Sequence, residues 1–182
     1  MGYALKTDEL RRPERIEAPS TFITATEAFE ELGLIVDGSS AYIDTHDQDK
    51  IQRYIYTMVA FMDGYTGYLG RCIMSQKWRS YGCGTVIELP MPDASAVTVT
   101  DIDTNTAITD FELKNTVPLP TIILTTSADV QIEATYGYGG AGDVPAPIKD
   151  EILRQVVIRY EFPETPIDTY MPMVSPYRVR RI

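Results

Sequence analysis

The sequence predicts an α+β protein with a small helical core of three main helices, an inserted antiparallel β-sheet region and an extended C-terminal arm. Apolar residues recur at helical spacing towards both ends of the chain, and they alternate with polar residues between about 73 and 137. Prolines interrupt the last twenty residues, where neither a helix nor an inner strand can continue. We therefore divide the chain into an N-terminal arm (1–19), a body (20–162) and a C-terminal arm (163–182).

Three segments of the body have the apolar spacing of amphipathic helices. The first covers about 24–33 and begins with Thr24 and Glu27, the spacing of a capping box. The second covers about 47–65, and the third covers about 147–161, with prolines at its start. The apolar positions that define the three stripes are Ala25, Ala28, Phe29 and Leu32; Ile51, Ile55, Met58, Val59 and Met62; and Ile148, Ile152, Val156 and Tyr160.

The region from about 73 to 137 predicts five or six short strands. Apolar and polar residues alternate there, and proline, asparagine and aspartate punctuate the pattern. No helical pattern lies between the segments, so parallel crossovers are excluded and the sheet is predicted to be antiparallel. The apolar positions of the segments include Val86; Val97 and Val99; Ile122 and Leu124; and Val130, Ile132 and Ala134.

Charge and composition exclude several classes of function. The 182 residues include 16 Lys and Arg against 26 Asp and Glu, a net charge of −10 that opposes nonspecific binding to nucleic acid or anionic membranes. The first nineteen residues hold no apolar run, so neither a signal peptide nor a membrane anchor is predicted. Cys72 and Cys83 are expected to be reduced thiols in a cytosolic setting. His46 is the single histidine, and no set of nucleophile and base is recognisable, so we expect no enzyme and no cofactor.

The C-terminal arm combines four prolines with many apolar residues, which is unusual for a solvated tail. Burying one such side chain fully stabilises a complex by about 1.5–3 kcal/mol, so the arm is predicted to dock into a groove. The arm has a cationic end, whereas residues 18–162 hold 9 basic and 20 acidic residues. The sequence leaves open whether the arm docks on another molecule or wraps its own domain. The predicted docking residues are Ile167, Tyr170, Met171, Met173, Val174, Tyr177, Arg178, Val179, Arg180, Arg181 and Ile182.

Gly137, Gly139 and Gly142 match the spacing of a dinucleotide-binding loop between a strand and a helix. Pro145 and Pro147 follow at once and remove backbone donors from the helix N-terminus that would face a pyrophosphate. A flexible strand-to-helix loop is therefore the favoured interpretation.

Three further groups of residues match the spacing of binding sites and also have simpler interpretations. Asp101, Asp103, Asn105 and Glu112 have calcium-loop spacing, but Thr106 stands where glycine is needed and the flanks alternate as strands, which favours a polar hairpin turn. The acidic run Asp44, His46, Asp47 and Asp49 is typical of a helix start. Trp78, between Lys77 and Arg79, could stack on a nucleic-acid base, but a packing anchor at a sheet edge is favoured.

The order of several short motifs resembles the head-to-tail connector, or adaptor, proteins of tailed bacteriophages and gene transfer agents. The resemblance runs from about Thr24 to the C-terminus, and Tyr68 departs from it because the family usually has a basic residue there. The matching residues are Ala25, Glu27, Ala28 and Leu32; Asp49, Ile51, Ile55, Gly64, Tyr65, Thr66 and Gly67; Gln76, Lys77, Trp78 and Arg79; Leu89, Pro90 and Pro92; Tyr136, Gly137, Tyr138, Val144, Pro145, Pro147, Ile148 and Lys149; and Pro176, Tyr177, Arg178, Val179, Arg180 and Arg181.

The resemblance implies a noncatalytic virion protein, made in the host cytoplasm and located at the neck. Its copies are expected to form a twelvefold ring under the portal protein, with the C-terminal arm gripping the portal. The opposite face is expected to receive the next neck or tail component, a stopper or tail completion protein, while the genome passes through the channel. A small calcium- or ligand-binding β module is the alternative that the Asp101–Glu112 spacing leaves open.

Overall fold

A computed structural model describes residues 12–34, 45–115, 118–167 and 170–179. Within these ranges the chain forms three α-helices and a six-stranded antiparallel sheet, which confirms the predicted α+β class. None of the helices in the described ranges is both long and apolar enough to cross a bilayer. In chain order the elements are β1 (Glu14–Glu17), α1 (Ala25–Glu31), α2 (Thr45–Met62), β2 (Gln76–Glu88), β3 (Ser95–Asp101), β4 (Ala107–Ile108), β5 (Phe111–Lys114), β6 (Thr121–Tyr136) and α3 (Ala146–Glu161).

The chain divides into two compact units. The sheet unit contains β1 to β6, and the helical unit contains α1, α2 and α3. The chain leaves the helical unit between Gly70 and Arg71 and returns to it between Tyr138 and Gly139, so strands β2 to β6 are an insertion between α2 and α3, while β1 precedes α1. The C-terminal arm as far as Arg178 belongs to the helical unit.

The capping box predicted at the start of α1 is present. The Glu27 amide donates to Thr24 Oγ1 at 3.2 Å, and the Thr24 amide donates to Glu27 Oε2 at 2.7 Å. The other Glu27 oxygen is paired with Lys149 of α3, so the same side chain ties α1 to α3. Burial alone would raise the pKa of Glu27, but the hydrogen bonds from Lys149 and Thr24 outweigh it and lower that pKa.

Helices α2 and α3 pack side by side in opposite directions. Near the start of α2, Lys50 lies 4.7 Å from the centre of the Tyr160 ring at the end of α3. One turn further along α2, the Arg159 guanidinium lies 5.5 Å from the centre of the Tyr54 ring. Most of the apolar positions predicted for both helices are buried, whereas Val59 and Tyr160 are half-buried. The buried positions are Ile51, Ile55, Met58 and Met62 on α2, and Ile148, Ile152 and Val156 on α3.

Strand β6 is the centre of the sheet. It pairs with β2 along one edge and with β3 and β5 along the other, while β1 extends the sheet beyond β2 and β4 extends it beyond β3. The sequence predicts two strands where β6 is a single one, because the polar stretch from Thr125 to Asp129 reads as a turn. That stretch instead lies opposite a register shift between Gly84 and Val86 of β2, where the pairing is interrupted but both strands continue.

The N-terminal arm contributes a strand that the sequence does not indicate. Its four residues from Glu14 to Glu17 are all exposed and pair with the edge of β2. Arg15 lies over the Trp78 ring, 5.0 Å from its centre. The alternating charges of this segment suit an edge strand, because charged residues discourage further pairing of chains at a sheet edge.

A charged cluster links β2 to β6 and predicts a pH dependence of stability. Glu133 accepts from Lys77 at 2.7 Å and from Arg79 at 2.8 Å, and these bonds lower the pKa of Glu133 below its ordinary value of 4.5. A carboxylate with a lowered pKa stabilises the fold above pH 4.5 and loses that contribution as the pH falls through its folded pKa.

We expect Glu133→Gln to lower the free energy of unfolding by up to about 1 kcal/mol at neutral pH, because the cluster is partly exposed. The difference from the wild type should be smaller at about pH 3 than at neutral pH, because the carboxylate becomes protonated as the pH falls through its folded pKa. Urea titrations at both pH values measure it. Glu112→Gln is the matched control, because Glu112 and Lys114 are more exposed and 3.6 Å apart. An E133Q deficit of equal size at both pH values would contradict the prediction.

Candidate functional site

The C-terminal arm is described from residue 163 to 167 and from 170 to 179, and its apolar residues face two ways. Met171 is 1% exposed and Val174 is fully buried, whereas Tyr170 is 77% exposed and Met173 is 51% exposed. Ile167, Tyr177 and Val179 are half-buried, and Arg178 is exposed. Arg180, Arg181 and Ile182, which the sequence also predicts to dock, lie outside the described residues.

A short turn produces this separation. The Ser175 amide donates to the Met171 carbonyl at 3.1 Å, and the Tyr177 amide donates to the Val174 carbonyl at 3.0 Å. Met171 and Val174 are therefore buried against their own subunit, whereas Met173, within the first turn, and Tyr170, just before it, are exposed.

The end of the arm rests on an aromatic stack of the helical unit. The Arg178 guanidinium lies 4.7 Å from the centre of the Tyr68 ring, and Tyr68 is stacked on Phe61 with the ring centres 5.9 Å apart. The Tyr68 amide donates to the Phe61 carbonyl at 2.8 Å, which fixes the loop that follows α2. A cation over an aromatic face is attracted by the ring quadrupole.

The first part of the arm lies along α2 and α3. Thr165, Pro166 and Ile167 line a cavity of about 10 Å³, too small for any ligand larger than one water molecule. The remaining walls come from α2 and α3: Met58, Gln155, Ile158 and Arg159. In this conformation the first part of the arm packs on α2 and α3 of its own subunit. Met171 and Val174 are buried and therefore offer no surface to a partner. Among the arm's described large apolar residues, Tyr170 and Met173 are the two that expose more than half of the side chain.

In the glycine-rich segment before α3, the Asp143 carboxylate already binds a backbone amide of the same segment. The Gly140 amide donates to Asp143 Oδ2 at 2.8 Å within a short 3₁₀ turn from Ala141 to Asp143. A pyrophosphate would need this donor and would be repelled by the carboxylate. The geometry agrees with a strand-to-helix loop and opposes a nucleotide site.

The residues with calcium-loop spacing form a hairpin turn between β3 and β4. The Thr104 amide donates to Asp101 Oδ1 at 2.8 Å, and this backbone hydrogen bond lowers the pKa of Asp101. Glu112 lies on β5, where its carboxylate is 3.6 Å from Lys114 Nζ. Across the described ranges, no group of three or more His, Cys, Asp or Glu residues could hold a metal ion.

We expect calorimetric titration of the protein with calcium to give no saturable heat. Asp101 already accepts from the Thr104 amide and Glu112 lies near Lys114, and too few of the described carboxylates converge for the six to eight oxygen ligands that calcium takes. Asp101→Asn is the matched control and should give the same trace as the wild type. A saturable signal that this substitution removes would restore the calcium-binding alternative.

Two of the remaining candidate residues, Asp47 and Trp78, have structural partners. Asp47 lies in the first turn of α2. Burial raises the pKa of Tyr160, and both the negative charge of Asp47 and a hydrogen bond to Asp47 raise the pKa of Tyr160 further. Asp44 lies outside the described residues. Trp78 is buried beneath Arg15 and donates from Nε1 to Gln76 Oε1 at 3.1 Å, as a packing anchor would.

The sequence does not indicate Phe61 and Tyr68 as part of the site. They lie on either side of the turn that ends α2, and their partner Arg178 is far away in the sequence. The one signal is that Tyr68 replaces the basic residue usual at its position in the resembling family. An aromatic ring there can receive a cation from elsewhere in the chain, which a basic side chain would repel.

No protein-family model and no curated protein matches the chain. Solved structures do match it. A chain of the neck of an empty GTA particle, computed with C6 symmetry, has a TM-score of 0.66 and 15% identity, over 94% of this chain and 97% of that one. A chain from the virion of a native gene transfer agent (GTA) particle has a TM-score of 0.66 and 14% identity, over 93% and 96%.

A third match is a chain of the neck of a native GTA particle computed with C12 symmetry. Its TM-score is 0.57 and its identity 15%, over 92% of this chain and 97% of that one. The three chains therefore share the fold of this protein along almost their whole length, the inserted sheet included.

Proposed function

We propose that this protein is a structural component of the neck of a phage-like particle and acts there as the head-to-tail connector. Its copies form a twelvefold ring below the portal protein, join the portal to the next neck or tail component, and leave a channel for the genome. The observation that carries the proposal is the fold shared with a GTA neck chain over 94% of this chain and 97% of the other.

The symmetry of the matching necks supports a ring. Neck chains with this fold come from particles computed with C6 and C12 symmetry, and a ring of twelve copies is compatible with both. A closed ring also repeats one pair of complementary surfaces around its axis, so a single chain supplies every contact.

The charge of the body supports a channel that DNA passes without binding. Residues 18–162 carry 20 acidic and 9 basic side chains, and such a surface repels phosphate. Sequence-specific recognition would require cations that reach the bases, and the role needs neither those nor a catalytic group or cofactor.

The outward side of the C-terminal arm is the proposed portal contact. Tyr170 and Met173 are large, exposed and only three residues apart in the chain, so a recess on a neighbouring protein can cover both. Twelve such arms on one ring would act multivalently, and each could be weak on its own.

Electron microscopy of the purified protein, mixed with the portal protein of the same particle, tests the proposal. We expect an additional ring of density with twelvefold symmetry on one face of the portal. A matched mixture with an unrelated acidic protein of similar size should leave portal rings bare. Bare portal rings in the presence of an excess of this protein would overturn the proposal.

A further inference from the structure

The described part of the C-terminal arm from Tyr170 to Arg178 is folded rather than extended. Three backbone hydrogen bonds hold it, from the amides of Ser175, Tyr177 and Arg178 to carbonyls within the same segment. Two side chains are buried inwards, and the last residue of the segment lies on the Tyr68 ring. A disordered tail has none of these features.

We infer that Tyr68 is a positioning residue that latches the arm through Arg178 and thereby holds Tyr170 and Met173 ready for a partner. The inference rests on the proposed portal contact and names the device that prepares it. The partner surface that this arrangement fits is an apolar recess about two side chains wide. Because Tyr68 and Phe61 act through Arg178, they need not touch that partner.

The physical argument is preorganisation. A free arm must lose backbone and side-chain freedom when it binds, and every residue ordered in advance removes part of that cost. Met171 and Val174 anchor the middle of the segment, but the described residues at its end, from Tyr177 to Val179, include no fully buried side chain to anchor it. The stack of Arg178, Tyr68 and Phe61 supplies that end anchor.

Tyr68→Ala tests the latch without any partner. We expect the amides of Ser175, Tyr177 and Arg178 to exchange hydrogen for deuterium about two- to fivefold faster, the factor expected for an exposed cation–π contact. Amides in the middle of α3 should exchange at the wild-type rate. Tyr68→Phe keeps the ring and should behave as the wild type.

Arg178→Ala removes the other half of the contact from an exposed position, so it does not threaten the fold. It should loosen the same amides as Tyr68→Ala, and the double variant should be no looser than either single variant, because both remove one interaction. Unchanged exchange in both single variants would overturn the latch, whatever the portal does.

Binding to portal rings tests the second half of the inference. We expect Tyr68→Ala to weaken binding about two- to fivefold and Tyr68→Phe to restore it. Loosened amides with unchanged portal binding would overturn the preparatory role. A wild-type chain that binds no portal at all, but whose amides respond as expected, would refute the proposed function and leave the latch in place.

Discussion

Replacing Tyr170 and Met173 together by serine is expected to weaken the binding of one arm to the portal by about 10²-fold while leaving the fold unchanged. The two side chains are 77% and 51% exposed, so a partner that covers them would gain about 2–4 kcal/mol from their apolar surface. The fold should lose little, because surface substitutions usually change stability by less than about 0.5 kcal/mol. Interferometry on immobilised portal rings measures the binding, and thermal unfolding checks the fold.

Tyr56→Ser is the matched control. Tyr56 is an aromatic residue on α2 with a similar exposure of 57%, and it lies outside the arm. Its substitution should leave portal binding unchanged. If the Tyr170 and Met173 variant binds as tightly as this control, the arm is not the portal contact.

Deleting the whole arm after Phe162 is a less informative experiment than replacing Tyr170 and Met173. Met171 and Val174 are buried, and removing two fully buried side chains costs the fold about 3–6 kcal/mol. That is a large part of the 5–15 kcal/mol by which a typical domain is stable. A truncated chain that fails to bind could therefore have failed to fold, whereas the exposed pair separates the two effects.

Gly137→Ala is expected to destabilise the sheet unit by more than about 3 kcal/mol. Gly137 has a φ of +120°, which residues with a side chain rarely adopt, and a Cβ atom there would overlap the Met74 carbonyl group. The neighbouring backbone cannot move aside easily, because the next amide, that of Tyr138, donates to the Ile73 carbonyl at 3.2 Å. Chemical denaturation followed by the fluorescence of Trp78, which lies in this unit, measures the loss.

Gly142→Ala is the control for that substitution, since it adds the same atom to another glycine of the same motif. A Cβ atom on Gly142 would meet no heavy atom within 4 Å, so its effect should stay within about 0.5 kcal/mol. Equal effects at Gly137 and Gly142 would show that close approach of the backbone is not what requires glycine. The contrast also separates a structural reason for the motif from a nucleotide-binding one.

Local sequence patterns are sufficient to predict the three helices. The capping box at Thr24 and the apolar stripes of α2 and α3 are properties of residues three or four apart, and each is present in the structure. The alternation of apolar and polar residues likewise predicts the β region. The sequence nevertheless predicts two strands in place of β6, because the exposed polar middle of β6 resembles a turn. Its buried residues keep one alternation throughout, from Ile122 to Ala134, which was the available signal for a single strand.

Features that depend on contacts between residues far apart in the chain could not be predicted from local sequence patterns. The pairing of Glu14–Glu17 with β2 joins segments with no shared motif. In the arm, the composition indicates that apolar residues become buried, but it does not indicate which surface covers them. The turn that faces Met171 inwards and Met173 outwards, and the contact between Tyr68 and Arg178, are set by packing between segments far apart in the chain.

A reconstruction of the intact particle's neck at side-chain resolution tests the central claim most directly. The account predicts a ring of this chain against the portal, with Tyr170 and Met173 buried in a portal recess and Met171 and Val174 still covered by their own subunit. A neck in which Tyr170 and Met173 of every copy face solvent, or in which this chain does not touch the portal, would contradict it.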